Sequence, residues 1–472
     1  MDQFVDELFR SGIRLDSDQL RAATAPIVPL IITASPGSGK TTCLICRILF
    51  LLKVMRLAAN ELLAVTFSRK AAEELQTRLQ ELRFVHPLTV SSLQVGTFHS
   101  IFLRFLLRNT HSPITVLSES EAKSLFAKAV ALEGLSVGRN RIDELIRIVG
   151  VLKNNLIHSD ALGAKSRRSK LLQRLYKSYE RLKASNCVLD FDDILIQSHR
   201  LLTKYPNMRQ EMQNQFRYVL VDEFQDTSPV QFELLRLLAT PEGNVCVVGD
   251  DDQAIYSFRG ADPDLMLRME LCFGGVQKIT LNTNYRSTDQ IIQTADQLIQ
   301  HHAKRMKKRM VGTNRSGALP LFIRPASQTE EAQYVLQYLG DCVNSDFPSE
   351  TCAVLYRTHA SAVCLLEYLR KNRLTSGQVF LASLATMTLH RAKGLEFDHV
   401  ALIGVTEGEL PHYRALDLRS ASARERCIEE ERRLLYVGIT RARKTLLISA
   451  PLRKDGRRVK VSRFVQEMEL KK

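Results

Sequence analysis

The stretch Leu30-Ile-Ile-Thr-Ala-Ser-Pro-Gly-Ser-Gly-Lys-Thr-Thr42 decides the fold of this chain. Its apolar start predicts a buried strand, and the apolar residues that follow it at helical spacing predict a helix. Between the two, Gly37 and Gly39 allow the backbone to curl until its N–H groups point inward. This order of strand, loop and helix predicts a phosphate site, although Ala34 stands where such loops usually begin with glycine.

The side chains of this loop indicate which phosphate compound binds there. Lys40 is placed to reach the β- and γ-phosphate oxygens of a nucleoside triphosphate, and the hydroxyl of Thr41 suits Mg²⁺. We therefore predict a nucleotide site with Mg²⁺, whose cradle consists of Ser35, Pro36, Gly37, Ser38, Gly39, Lys40, Thr41 and Thr42.

Composition limits the class of protein. With 472 residues, of which 45% are hydrophobic and 25% charged, the chain should form roughly two to four compact units. No apolar run reaches the ~20 residues of a membrane span, and the N-terminus lacks a secretory pattern, so we expect a cytoplasmic protein without a membrane partner. The net charge of +15 favours nucleic acid as a partner, although a basic surface also serves solubility. We expect Cys43 and Cys46 to pack in the core rather than bind metal.

The first half of the chain repeats the pattern of a strand followed by a helix. Leu62–Thr66 and Gln94–Thr97 are predicted strands, and each leads into a helix, which indicates a parallel sheet. Farther on, apolar residues recur at helical spacing without comparable strands. We therefore predict a first α/β domain at 1–110 and 188–283, with a helical insertion at 111–187.

A later apolar strand, beginning at Tyr218, ends in adjacent carboxylates. An ATPase needs such a pair, because one carboxylate holds Mg²⁺ through its shell and the other orients or deprotonates the attacking water. Acidic pairs also occur at ordinary turns, but here the phosphate loop upstream completes the same site. We assign the metal to Asp222 together with Thr41, and the water to Glu223.

The next strand, Val245–Val248, leads into the run Gly249–Gly260. Gln253 in this run is suited to sensing the γ-phosphate or its water. Tyr256 and Phe258 either offer π-faces to bases or pack in the core, and the sequence leaves both interpretations open.

The second half of the chain, 284–472, repeats the α/β pattern without a second phosphate loop. An arginine that follows a helix on a second sheet can reach the γ-phosphate held by the first, which would couple hydrolysis to domain closure. The basic cluster Lys304–Arg309 either contacts a phosphate backbone or forms a solvated loop.

These runs resemble the superfamily-1 DNA helicases typified by UvrD, PcrA and Rep. The resemblance extends in order from Gln19 to Phe464, which is almost the whole chain. Its most diagnostic runs are Asp222–Thr227, Gly249–Gly260, Asn284–Ser287, His390–Phe397 and Tyr436–Ala442.

The resemblance also implies roles for individual residues. For ATP and Mg²⁺ it implies Gln19 and Tyr285 at the adenine, Lys40, Thr41, Asp222, Glu223 and Gln253 at the phosphates, Mg²⁺ and water, Arg286 and Arg441 as arginine fingers, and Gly394 and Glu396 near the ribose and γ-phosphate. For single-stranded DNA it implies Phe67, Thr97, His99, Tyr256, Phe258, Arg259 and His390.

The chain departs from this family in four places. Thr42 stands where close relatives carry an arginine against the adenine, which relaxes base selectivity. Phe258 replaces the more usual tryptophan, and Arg458 stands in the strand-separating pin region where an aromatic is expected. The largest departure is the short link at 372–385, where the large insertion called subdomain 2B is missing or vestigial.

We therefore predict two RecA-like motor domains, the second at 284–472, and an ATP hydrolase that translocates 3′ to 5′ on single-stranded DNA and acts on 3′-tailed duplexes. One alternative is a motor subunit of a nuclease-containing repair or defence complex that unwinds weakly alone. Another is a nucleotide-gated DNA-binding switch with little turnover. The pair Asp222 and Glu223 argues against the switch, because a pure binder needs no water-positioning carboxylate.

Overall fold

The computed structural model describes residues 2–82, 85–110, 113–163, 166–240, 243–343, 350–373, 384–418 and 420–470. The chain forms two compact units. The first comprises Met1–Thr33, Lys40–Gly249 and Tyr256–Thr280, and the second comprises Ala34–Gly39, Asp250–Ile255 and Leu281–Lys472.

The first unit is built on a six-stranded sheet with the order β3-β2-β6-β7-β1-β8. The strands of this sheet are β1 (Leu30–Ala34), β2 (Leu62–Thr66), β3 (Gln94–Thr97), β6 (Tyr218–Val221), β7 (Val245–Gly249) and β8 (Gln277–Leu281). Two further short strands, β4 (Thr115–Val116) and β5 (Val188–Leu189), lie outside it. β1, β2, β6 and β7 are buried along their whole length, because helices cover both faces of a parallel sheet. The pairings of β3, β2, β6, β7 and β1 are parallel, as predicted.

The helices of the first unit surround this sheet. They are α1 (Asp2–Arg10), α2 (Ser17–Ala23), α3 (Lys40–Lys53), α4 (Arg69–Gln80), α5 (Pro87–Ser92), α6 (Phe98–Asn109), α7 (Glu119–Leu132), α8 (Arg139–Asn154), α9 (Arg167–Ser185), α10 (Phe191–Lys204), α11 (Pro206–Gln215), α12 (Pro229–Leu238) and α13 (Asp264–Cys272). Cys43 and Cys46 lie buried in α3, as expected, and burial raises the pKa of the Cys46 thiol to about 12.

The stretch between β3 and β6 contains three helices with a core of their own. α7, α8 and α9 pack around Phe126, Val149 and Tyr179. At the base of these helices β4 pairs in parallel with β5, a short ladder that the sequence pattern did not predict. The same region contains two buried lysines, Lys153 and Lys183.

The second unit contains a five-stranded parallel sheet with the order β11-β10-β12-β13-β9. Its strands are β9 (Leu321–Ile323), β10 (Cys352–Tyr356), β11 (Ala385–Thr388), β12 (Phe397–Leu402) and β13 (Ala442–Ser449), followed by the antiparallel hairpin β14 (Arg453–Lys454) and β15 (Arg457–Arg458). Its helices are α14 (Asp289–Gln300), α15 (Gln328–Cys342), α16 (Val363–Arg373), α17 (Tyr413–Leu416), α18 (Ala421–Ile439) and α19 (Arg463–Glu467).

Two parallel sheets surrounded by helices confirm the predicted fold class. Most of the link at 372–385, where we expect the vestige of a large insertion, lies outside the described residues. Among the helices that the structure describes, none is both long and apolar enough to cross a membrane.

Candidate functional site

The phosphate loop takes the glycine-dependent conformation that its sequence predicts. Gly37 and Gly39 have φ angles of +68° and +75°, a region that side chains disfavour. In the second unit, the Tyr285 N–H donates to the Gly37 carbonyl at 2.9 Å, and the Asn284 amide donates to the Pro36 carbonyl at 2.8 Å. A Cβ at Gly37 would lie 2.6 Å from the Cβ of Arg286, so the loop and the turn that follows β8 fit each other only with glycine there.

Arg286 is oriented by a carboxylate from another part of the second unit. Its Nε donates to Glu396 at 2.6 Å, and its Nη1 donates to the Thr440 carbonyl at 3.1 Å. Glu396 also accepts from Arg443, and the two guanidinium groups hold the pKa of this half-buried carboxyl below its usual range although burial opposes them. Arg286 is thereby held beside the loop residue Gly37.

Arg441 and Gln253 bond to each other in the second unit. The Arg441 guanidinium donates to Gln253 Oε1 at 3.1 Å and to the carbonyls of Val437 and Leu395 at 2.9 and 3.0 Å. Only 2% of Arg441 is exposed. The Gln253 carbonyl accepts from Lys393 Nζ at 2.8 Å, so both its backbone and its side chain are restrained.

The basic cluster Lys304–Arg309 is divided: Lys304, Lys307 and Arg309 are exposed, as a solvated loop predicts, whereas Arg305 and Lys308 are paired with aspartates. Arg305 donates to Asp252 at 2.7 Å, and Lys308 forms ion pairs with Asp250, Asp251 and Asp252. Neither a phosphate contact nor a solvated loop describes these two residues. No local pattern indicates this pairing, because the aspartates lie in a distant motif.

The first unit contains the residues that we predict to bind the phosphates, Mg²⁺ and the attacking water. Lys40 and Thr41 begin α3, and Asp222 follows β6 directly, where its N–H donates to the Val65 carbonyl at 2.8 Å. Burial, more than the neighbouring Glu223, raises the pKa of Asp222 to about 7, and Lys40 opposes this rise. A cation beside Asp222 would favour its ionised form, which suits the metal role predicted for this carboxylate.

Glu223 has an unusual backbone. Its φ of +50° lies in the left-handed region, which costs a non-glycine residue about 1 kcal/mol or more. Its N–H donates to Asp222 Oδ1 at 2.9 Å, and its own carboxylate accepts from the Gln225 amide. The strained turn therefore aims the Glu223 carboxylate in a fixed direction.

The oxygen donors of Thr41 and Asp222 are of the kind that Mg²⁺ prefers, so these residues fit the metal. Two other acidic groups could be mistaken for metal sites: Asp250, Asp251 and Asp252 in one, and Glu180, Asp190 and Asp193 in the other. Lys308 fills the first, and Lys153 and Lys183 fill the second.

The residues predicted around the adenine are divided between the two units. Gln19 is buried in the first unit, and its Oε1 accepts from the Asp16 N–H at 3.1 Å in the capping box of α2. Thr42 follows in the first turn of α3. Tyr285, in the second unit, keeps an exposed ring, and Gly394 has a φ of +83° in the turn before β12.

A cleft of about 970 Å³ in the first unit brings together most of the predicted DNA residues. The rings of Phe67 and Tyr256 stack with centroids 5.1 Å apart, and Phe258 meets Tyr256 edge-on at 6.0 Å. The Arg259 guanidinium lies 5.4 Å from the Tyr256 ring. Phe258 is exposed and Tyr256 is half-buried, so core packing describes neither ring.

The cleft also contains an aromatic residue that no sequence motif singled out. Phe191, the first residue of α10, is 54% exposed and stacks on His99 with centroids 3.8 Å apart. Burial lowers the pKa of His99 to about 3, and its Nε2 has no partner among the described residues. Thr97 caps α6 by accepting from the Ser100 N–H. One feature of the sequence could have indicated this residue: Phe191 stands among the aspartates of Asp190–Asp193 at the start of a helix, where an aromatic side chain is easily exposed.

Buried ion pairs hold Phe191 in place. Asp190 and Asp193 cap α10, and Lys153 from α8 donates to them at 2.6 and 2.8 Å. Lys183 from α9 donates to the same pair at 3.0 and 2.5 Å. The three-helix region thereby fixes the start of α10.

His390 is the one predicted DNA residue that does not line this cleft. It belongs to the second unit, just after β11.

Comparison with known proteins agrees with these features. Residues 15–273 match the UvrD/REP helicase N-terminal domain, and residues 279–383 and 375–452 match the UvrD-like helicase C-terminal domain. The chain is 26% identical to YjcD of Bacillus subtilis, named as a candidate ATP-dependent DNA helicase, over an alignment of 615 positions that covers 96% of this chain and 81% of YjcD.

The chain is also similar to the ATP-dependent DNA helicase PcrA of two staphylococci. It is 33% identical to PcrA of Staphylococcus epidermidis and 31% identical to PcrA of Staphylococcus aureus, and each alignment covers 76% of this chain. The chain spans about half the length of these PcrA proteins, since each alignment covers 50% of them. Because one family match alone includes more than half of its residues, the chain belongs to the UvrD-like family of ATP-dependent DNA helicases.

Proposed function

We propose that this chain is an ATP-driven motor that moves 3′ to 5′ along single-stranded DNA and engages 3′-tailed duplexes. The observation that carries the proposal is the cleft of the first unit. Its lining includes stacked aromatic rings and also Asp222 and Glu223, so a bound strand would lie beside the carboxylates that act on ATP. Binding of DNA and hydrolysis of ATP can influence each other directly through such a cleft.

The proposed chemistry divides the work among a few side chains. Lys40 and the N–H groups of the loop bind the phosphates, and Thr41 and Asp222 hold Mg²⁺, which offsets the charge of the phosphates. Glu223 orients the attacking water and accepts its proton. The fixed direction of the Glu223 carboxylate supports turnover rather than a binding switch, because a strained backbone is a cost that simple binding does not require.

The aromatic lining suits single strands better than duplexes. Bases stack on aromatic rings only when they are unpaired, and stacking tolerates any sequence. Phe67, Tyr256 and Phe258 offer such faces, and Arg259 adds a cation beside them.

We also propose that the chain is a compact member of its family that lacks most of subdomain 2B. Two comparisons support this: the YjcD alignment has 615 positions, far more than this chain can fill, and the C-terminal family matches in two segments that meet at 375–383. A nuclease or repair protein could then supply duplex contacts that this chain lacks.

A steady-state ATPase assay with and without oligo(dT) tests the proposal. We expect the single strand to stimulate ATP hydrolysis strongly. A second assay uses oligonucleotides that carry streptavidin on a biotin at one end, and we expect release of streptavidin from the 5′ end of the strand but not from its 3′ end. A rate that does not respond to DNA would contradict the motor, and release from the 3′ end would contradict the direction.

A further inference from the structure

The second unit contains a buried ammonium, that of Lys308, which contacts the same aspartate as the side chain of Gln253. Only 1% of the Lys308 side chain is exposed, and its Nζ lies 2.5 Å from Asp250 and 3.1 Å from Asp252, with Asp251 as a third partner. Arg305 also donates to Asp252. A charge buried this deeply is unfavourable unless carboxylates surround it. The ammonium and these carboxylates therefore stabilise one another as buried ions.

One of these aspartates also holds the side chain of Gln253. The Gln253 Nε2 donates to Asp250 Oδ2 at 2.5 Å, while its Oε1 accepts from the Arg441 guanidinium at 3.1 Å. If the amide turned over, its oxygen would face a carboxylate and its NH₂ group would face a guanidinium. Two partners of opposite charge therefore fix the direction of the amide.

Lys308 holds the carboxylate that orients this amide, because its Nζ donates to Asp250 Oδ1 while Gln253 donates to Asp250 Oδ2. Asp250 and its two neighbours occupy consecutive positions in a buried turn, and Lys308 forms an ion pair with each of them. Burial already raises the pKa of Asp252, and Lys308 opposes the rise. Without the ammonium, Asp250 loses this partner of its Oδ1, and the direction of the Gln253 amide is no longer fixed from that side.

We propose that Lys308 is a positioning residue for the ATPase reaction, which acts through Asp250 to hold the amide of Gln253 in the orientation that the reaction uses. The inference rests on the proposed function. It also explains why three adjacent aspartates do not form a cation site here, since the lysine occupies the place of the cation.

Two variants test the proposal. Lys308→Met removes the ammonium, and Lys308→Met combined with Asp251→Asn restores the net charge of the cluster and so guards against simple unfolding. We expect both to lower the DNA-stimulated kcat at least about tenfold while the affinity for a fluorescent ATP analogue changes less than about twofold. Arg424→Met, which removes an exposed cation of the same unit, should leave both quantities unchanged.

A double-mutant cycle separates positioning from a general structural role. If Lys308 acts through Gln253, then Gln253→Ala should lower kcat in the parental chain but cause little further loss in the Lys308→Met/Asp251→Asn background. Losses that multiply would overturn the proposal, and so would parental turnover in the charge-balanced variant. A parental chain with no ATPase activity would overturn the proposed function, and the positioning role with it.

Discussion

The ring of Phe67 lies on the ring of Tyr256, with centroids 5.1 Å apart and planes 13° apart. A base between two rings needs about 3.4 Å on each side, close to the rise per base in a stacked strand. The pair must therefore separate by about 2 Å to admit a base, or else offer an outer face to it. Either way, the two rings form one binding feature rather than two independent ones.

We expect Tyr256→Ala to weaken binding of single-stranded DNA by about 1–3 kcal/mol, because one stacking platform is lost. Fluorescence anisotropy with labelled oligo(dT) measures this. The change Phe9→Ala removes an exposed ring outside the cleft and serves as the control. If both variants bound DNA like the parent, the cleft would not be the DNA site.

The changes Lys40→Ala and Glu223→Gln should separate ATP binding from hydrolysis. Loss of the Lys40 ammonium should weaken nucleotide affinity itself, whereas the Glu223→Gln amide keeps the shape of the site but cannot accept a proton from water. We expect a loss in turnover of order 10²-fold or more for Glu223→Gln, with ATP binding retained. Parental turnover in this variant would show that the carboxylate has been assigned wrongly.

Arg286→Ala should reduce the DNA-stimulated rate far more than the affinity for ATP. A guanidinium on the transferring phosphoryl group acts mainly as charge develops in the transition state. Arg443→Ala is a matched control, because Arg443 bonds to the same Glu396. Equal losses in the two variants would mean that the loss of one partner of Glu396, and not a missing finger, causes the effect.

Asp192 gives a pH dependence that can be tested. Burial raises its pKa from an ordinary value of 3.8 to about 6, so the folded chain binds more protons than the unfolded chain between these values. Stability from this group is therefore present at low pH and lost as the pH rises through about 6. Asp192→Asn removes the effect.

Urea unfolding at pH 5 and pH 7.5 measures this. Between the two, the parent should lose on the order of 1 kcal/mol more of its free energy of unfolding than Asp192→Asn does. Asp143→Asn changes a more exposed carboxylate of the same cleft and should behave like the parent. Parallel profiles for the parent and Asp192→Asn would refute the assignment.

Duplex unwinding by the purified chain should be feeble compared with its movement on single strands. The hairpin β14–β15 turns at Asp455-Gly456 and exposes Arg458, and no aromatic residue occurs from Pro451 to Arg463. Without a stacking face the hairpin is a poor wedge between base pairs. Strand displacement on a 3′-tailed duplex, beside translocation kinetics, measures the difference. Processive unwinding at the pace of translocation would refute this expectation, and Arg458→Phe should improve displacement if the expectation is right.

The sequence by itself determined the sheets and the phosphate loop. Strands β2 and β3 have the predicted bounds, and β2 is a short, continuous apolar run because helices cover both of its faces. The strand β8 was missed, since only Ile279 and Leu281 of its five residues are buried. The loop was readable because its glycines and Lys40 carry their function within a few adjacent positions.

Only the tertiary structure decided which distant side chains meet. Three contacts join residues from separate segments of the chain. Phe191 stacks on His99, Lys308 forms ion pairs with three aspartates, and Arg441 donates a hydrogen bond to Gln253. A local pattern records the spacing of neighbours along one helix or strand, but it contains no information on the partner that will neutralise a buried charge. Lys308 therefore looked like surface in the sequence and is buried in the fold, because its three carboxylates lie in a different segment of the chain.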